Sequence, residues 1–178
     1  MSEAKNNNRM REIRIEKLTL NIGAGKDQGK LEKGIKLIKN ITGLDPVKTV
    51  TVKRIPTWGL RPGLPVGCKL TLRGEKALLL IPRLLDAKVF TLADSNFSTA
   101  GTVSFGIPEY IDIKDAKYDP DVGIIGLEVS ITLERPGYRV KRRALKNSKL
   151  SKKHLITKEE AINFMKSKFN IKIGGEEE

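Results

Sequence analysis

Ten Lys or Arg side chains, and no Asp or Glu, lie between Arg135 and Lys158. Like charges at that density repel, so the stretch is not expected to collapse into a compact fold of its own. Against a polyanion it gains, because each cation that neutralises a phosphate releases condensed counterions. The chemistry on offer is electrostatic capture of RNA or DNA; a solvated basic tail kept for solubility is the plainer reading of the same residues. Groups for bond-making chemistry are scarce. His154 is the only histidine and reads as one more polar contact point in the basic stretch. Cys68 is the only cysteine, which excludes an internal disulfide and suits a reducing compartment. It falls on an expected strand and reads as core rather than nucleophile. No carboxylate pair sits in a setting that would raise a pKa, and no His/Cys set has metal-ligand spacing. Neither catalysis, nor a metal, nor a cofactor is expected.

One segment imitates a nucleotide-binding loop. Ala24, Gly29 and Lys30 have the spacing of a P-loop between an expected strand and an expected helix. Leu31 stands where that loop needs a Ser or Thr to hold Mg²⁺, and it carries no oxygen. The glycines then serve a strand-to-helix turn with positive φ. An ATP- or GTP-dependent assembly enzyme built on Lys26–Lys30 is one alternative function. A peripheral membrane protein held by the basic tail is another, although the tail's apolar residues are too sparse for a firm amphipathic anchor.

The formal charge of +13 and a pI near 9.9 ask for an anionic partner. That charge is segregated. Seven basic residues face Glu75 alone between Pro46 and Lys76, whereas eight acids face Lys88, Lys114 and Lys117 between Asp86 and Glu128. A merely soluble protein intersperses its signs, so a basic binding side and a less basic middle region are expected. The longest unbroken apolar run, Ala77–Ile81, is far short of the roughly 20 residues that cross a bilayer. The polar start, Met1 to Arg14, lacks a secretory signal, and a soluble cytoplasmic protein is expected.

The elements that must position these groups follow from periodicity. Ile13 and Ile15, then Leu18, Leu20 and Ile22, alternate with a one-residue slip at Glu16–Lys17, predicting a half-buried strand with a bulge. Leu31, Ile35, Leu37, Ile38 and Ile41 predict an amphipathic helix over Asp27 to Ile41, closed by Gly43. Val47 to Val52 predicts a second strand, and Val66 or Cys68 to Arg73 a third. Glu75 to Leu85 predicts a helix with Pro82 inside it, and Phe90 to Thr102 reads as irregular. Short strands are predicted at Val103–Phe105, Tyr110–Ile113 and Gly126 to Leu133. Thr157 and Glu160 form a capping box ahead of a closing helix over 157–169. The fold class is α+β, a mainly antiparallel sheet with helices on one face, a long projecting loop and a basic C-terminal extension. The organisation expected is a flexible leader over 1–10, an RNA-binding domain over 11–135 with its loop at 54–67, and the extension over 136–178.

The loop is the most individual piece of the chain. Pro56, Pro62, Pro65, Gly59, Gly63 and Gly67 leave no room for a regular element. Trp58 either anchors this loop on its own domain or projects, with Arg61, to stack on exposed bases or sugars. Prolines suit the second reading, because a loop stiffened beforehand loses less entropy on docking.

At these residues a likeness emerges. LTLNIGAG (Leu18–Gly25), the Arg54–Gly74 run ending in VGCKLTLRG, and SFGIPEY (Ser104–Tyr110) resemble the universal ribosomal protein number five of the large subunit, the 5S-rRNA-binding family. RPGYRVKRR (Arg135–Arg143) and the long basic C-terminus resemble its archaeal and eukaryotic branch. The likeness runs from about Arg11 to Ile173. It implies a structural protein that binds 5S rRNA and joins it to large-subunit rRNA in the central protuberance, among neighbouring ribosomal proteins there. It implies no enzyme activity, no membrane, no small-molecule substrate and a place in the cytoplasmic ribosome.

By motif, Asn21, Thr71 and Arg73 match positions that contact 5S rRNA. Glu128 stands where bacterial relatives have Asp, keeping the acceptor on a longer arm. A Gln that those relatives place before the second strand has no counterpart at Leu44-Asp45-Pro46. From their charge, Arg139, Lys141, Arg142 and Arg143 of the basic extension are expected rRNA contacts as well. The loop is implied to reach the peptidyl-site tRNA through Pro56, Thr57, Trp58, Arg61, Pro62 and Gly63, and it is richer in Pro than the bacterial form. Chemistry agrees: Asn and Thr on an exposed sheet face can bond sugar and base edges, and Arg73 can pair bidentately with phosphate. The duller readings are that Asn21 caps the following turn and Thr71 merely favours a strand. The basic stretch either threads between rRNA helices, ordered on assembly, or packs on its own domain as a helix through Tyr138, Val140, Leu145 and Leu150.

Overall fold

The computed structural model describes residues 8–114 and 116–174. Among them lie seven strands: β1 Arg14–Gly23, β2 Val47–Val50, β3 Pro65–Leu72, β4 Thr91–Leu92, β5 Thr102–Ile107, β6 Leu127–Glu134 and β7 Lys172–Ile173. Three α-helices accompany them: α1 Gln28–Thr42, α2 Glu75–Asp86 and α3 Lys158–Phe169. The main sheet has the order β2-β3-β1-β6-β5, antiparallel throughout, and β4 pairs with β7 in a small parallel ribbon. Of the expected leader, residues 1–7 lie outside the described residues, and Arg9–Arg11 form a single 3-10 turn.

Strand parity decides which face is core. Leu18, Leu20 and Ile22 of β1, Cys68, Leu70 and Leu72 of β3, and Leu127, Val129, Ile131 and Leu133 of β6 are all buried together. The slip expected at Glu16–Lys17 is real: the β6 register steps from Ile15↔Leu133 to Lys17↔Thr132. α1 starts on Asp27, whose carboxylate accepts the Lys30 N–H at 3.2 Å, and stops at Gly43, whose φ is 70°. α2 runs unbroken through Pro82 and buries Ala77, Leu80, Ile81, Leu84 and Leu85. Each buried Leu or Ile contributes about 1.5–3 kcal/mol, which together exceeds the roughly 3 kcal/mol of an internal proline.

Two expectations need correction. Tyr110–Ile113 is not a strand: Tyr110–Asp112 form a 3-10 turn. Tyr110 and Ile113, three apart, thereby point the same way into the core. The Tyr110 hydroxyl accepts the Asp119 N–H at 2.9 Å. The stretch from Phe90 to Thr102 is not wholly irregular, since it carries β4 and the 3-10 turn Asp94–Asn96.

The basic stretch is anchored rather than repelled, because its counter-charges come from elsewhere in the chain. Arg135, only 3 % exposed, donates through Nη2 to Glu160 Oε1 at 2.6 Å and through Nη1 to the carbonyls of His154 and Leu155. Arg142 pairs with Glu16 and, at 2.8 Å, with Glu134, which Arg14 also meets at 2.6 Å. Tyr138 is buried, and its hydroxyl accepts the Ile156 N–H at 3.1 Å. Ile156, Ala161, Met165 and Ile171 complete the core. Short 3-10 turns at Tyr138–Lys141 and Lys152–His154 replace an α-helix here, and Leu145 is left exposed.

The capping box of α3 is formed in full, with Thr157 and Glu160 bonded reciprocally. Burial pushes the Glu160 carboxyl up, but the Thr157 amide and Arg135 outweigh it and hold it below the usual carboxylate value. A depressed carboxyl contributes stability that is whole above its unfolded value of about 4.3 and disappears as pH falls through the folded value. Thermal melts through the acid range should lose stability below that point. Glu160→Gln should flatten this part of the profile, and an unchanged acid limb would discount the Glu160 contacts.

Candidate nucleic-acid interface

The parity that buries Leu18, Leu20 and Ile22 turns Lys17, Thr19 and Asn21 to the opposite face. The helices pack on the apolar side, so this second face stays open. Register aligns its side chains in rows. Thr71, Thr19, Ser130 and Ser104 sit side by side across β3, β1, β6 and β5. In the next row stand Lys69, Asn21, Glu128 and Gly106. Ser104 and Ser130 share a hydrogen bond of 3.1 Å, and the Asn21 Nδ2 donates to Glu128 Oε2 at 2.8 Å. Lys69, Arg73, Ser104 and Glu128 are exposed, while Thr19, Asn21, Thr71 and Ser130 are half-buried.

Asn21, Thr71, Arg73 and Glu128, expected as one set from motifs far apart in sequence, therefore share one surface. The alternative in which Asn21 caps the following turn is not what its amide does. Lys69, Thr19, Ser104 and Ser130 were missed, although their signal was present: each has the parity opposite to a core position on the same strand. Such a face offers hydroxyls and an amide for sugar and base edges, with cations at its margin for phosphate.

The proline-rich segment is more regular than its breakers suggest. It continues the β2–β3 pair as a pinched hairpin: the Thr51 N–H donates to the Leu64 carbonyl, the Gly63 N–H to the Thr51 carbonyl, and Ile55 and Leu60 exchange both backbone bonds at 3.0 Å. Pro56–Trp58 form a 3-10 turn ended by Gly59 at φ 66°. Leu60, 7 % exposed, is the inward anchor, whereas Trp58 is 66 % exposed. That difference rules against Trp58 as the residue holding the loop to its own domain. Pro56, Thr57, Arg61, Pro62 and Gly63 are exposed beside it.

Of the basic extension, Arg139, Lys141 and Arg143 are exposed. The Lys141 ammonium lies 5.0 Å from the Tyr138 ring centre, and Arg143 Nε donates to the Lys146 carbonyl at 2.7 Å. Arg142 is placed differently, since its guanidinium is spent on Glu16 and Glu134. The P-loop imitation also falls away. The Asp27, Lys30 and Leu31 N–H groups, which a phosphate would need, donate instead to the Ala24 carbonyl at 3.3 Å, the Asp27 carboxylate at 3.2 Å and the Asp27 carbonyl at 3.2 Å. Among the described residues no cluster of His, Cys, Asp and Glu could hold a metal ion, and no helix is long and apolar enough to cross a membrane.

Sequence comparison gives the chain's relatives. The model of the family "Ribosomal protein L5" matches residues 8–61, and the model of that ribosomal family's C-terminus matches residues 65–170. A protein of Nanoarchaeum equitans named large ribosomal subunit protein uL5 is 52 % identical over 165 residues, 92 % of this chain and 97 % of its own. Its namesakes in Sulfolobus acidocaldarius and Sulfurisphaera tokodaii are 45 % and 43 % identical, each across 97 % of this chain and 97 % and 98 % of their own.

Proposed function

The chain belongs to the ribosomal protein L5 family, and from that premise we propose that its open sheet face binds 5S rRNA and fastens it to the large subunit in the central protuberance. At the coarser level it is a structural constituent of the large subunit of the cytoplasmic ribosome, not an enzyme. The observation that carries the finer reading is the helix-free face with its paired rows of Thr, Ser, Asn and Glu and its Lys69 and Arg73 rim. Hydroxyl and amide groups held on strands are fixed in position, so they lose little entropy on meeting RNA. Arg73 supplies a charge-assisted contact to phosphate.

The hairpin tip has another role in this reading. It reaches toward the peptidyl-site tRNA and presents Trp58 and Arg61 to it, on a tip stiffened by Pro56 and Pro62. Arg139, Lys141 and Arg143 face large-subunit rRNA, and Arg142 fixes the segment that carries them. Neighbouring ribosomal proteins of the central protuberance complete the surroundings.

One paired measurement tests the division of labour. Arg73→Ala should lower affinity for isolated 5S rRNA by about 1–3 kcal/mol in a filter-binding titration. Trp58→Ala should leave that affinity intact and disturb tRNA-dependent steps on assembled ribosomes. Unchanged binding by Arg73→Ala removes it from the site, and equal losses from both variants contradict the separation.

A further inference from the structure

We propose that Asn21 and Glu128 form a subsite that reads the Watson–Crick edge of an unpaired guanine, with the base lying over the backbone at Gly106. The proposal rests on the open face being the RNA face and adds which chemistry of RNA it selects. A carboxylate is out of place there if phosphates are its neighbours, since two like unit charges 4 Å apart repel by about 4 kcal/mol near a protein surface. Glu128 is exposed and forms none of the ion pairs found among the described residues. Its place on this face makes sense if it meets N–H donors.

The order of groups selects the base. Asn21 Nδ2 holds Glu128 Oε2 at 2.8 Å and keeps its second N–H for a ligand. Read across the pair, the surface presents a donor followed by two acceptors. Guanine presents the complement, O6 as acceptor, then N1–H and N2–H as donors; adenine, cytosine and uracil have other orders. The protein pair imitates the edge of a cytosine.

Gly106 supplies an independent observation. It lies in register opposite Glu128. A Cβ added there would meet nothing within 4 Å, and its φ lies outside the left-handed region. Neither packing nor backbone geometry requires glycine at this point of β5, where a side chain would normally stabilise the strand. What its absence leaves free is the floor beside the carboxylate. Two shallow hollows flank the Asn21–Glu128 pair and both include Gly106; Lys30 lines one of them, within the reach of a flanking phosphate.

Kethoxal, which bridges N1 and N2 of unpaired guanines, reads the contact directly. On 5S rRNA, the wild-type protein should protect at least one guanine. Glu128→Gln, which replaces one acceptor by a donor, should expose that guanine again and weaken binding roughly tenfold or more. Gly106→Val should do the same while its circular dichroism and melting stay at wild-type level. The hydroxyl-radical footprint on the 5S backbone should persist in both variants. If that footprint is present but no guanine is protected, or if protection survives both substitutions, the subsite is wrong and the broader RNA reading stands. If the wild type leaves no footprint on 5S rRNA, both fall together.

Discussion

Arg135→Ala should remove about 3–5 kcal/mol of folding stability, the range for breaking a buried charged network from one side. The side chain is 3 % exposed and ties three groups of the closing segment, the His154 and Leu155 carbonyls and the Glu160 carboxylate. Truncation leaves all three without this donor and opens a void where the buried guanidinium lay. Glu160 keeps access to water at one third exposure, which places the loss toward the lower end. Domains commonly hold only 5–15 kcal/mol in total, so the variant should unfold at markedly lower urea. Arg14 is the control: it meets Glu134 at 2.6 Å but is 61 % exposed, so Arg14→Ala should cost at most about 1 kcal/mol. Matching urea midpoints for the two variants would show that burial of Arg135 is not what holds the basic segment down.

Gly67→Ala should be the second large effect, about 2–3 kcal/mol. A Cβ at Gly67 would stand 2.6 Å from the Ile22 carbonyl oxygen and 3.1 Å from Thr49 Oγ1. The first is backbone and cannot swing aside, so β1 and β3 must part at the base of the Trp58 hairpin. The same substitution at Gly106 meets open space and should be neutral or stabilising by up to about 1 kcal/mol, since alanine restricts the unfolded chain. Chemical denaturation of the two variants side by side isolates close strand approach from glycine's general conformational freedom. Equal midpoints would contradict the approach of β1 to β3 at this point.

What the sequence disclosed follows the range over which its physics acts. Asp27, Gly43 and the Thr157–Glu160 box are local signals, and each ends or starts a helix where expected. Alternation in β1, β3 and β6 identified the core, and its complement is the open face. Long-range pairing was not legible. The basic stretch looked self-repelling because Glu16, Glu134 and Glu160 are supplied by β1, β6 and α3, which only folding brings close. The hairpin was hidden by its prolines, because the bonds between Ile55 and Leu60 depend on a turn that Gly59 permits at positive φ. The Asn21–Glu128 bond joins positions 107 apart and exists only because β6 lies beside β1.

That same placement has a consequence in time. β1 is the middle strand of the sheet yet the first to be synthesised, and its β6 neighbour follows some 107 positions later. At translation rates of about 5–20 residues per second, one margin of the nascent strand stays bare for on the order of 5–20 s. During that interval Leu18, Leu20 and Ile22 offer an unpaired template to any neighbouring polypeptide. A chaperone that shields the emerging amino-terminal region has its work confined to that window, and the arrival of β6 ends it.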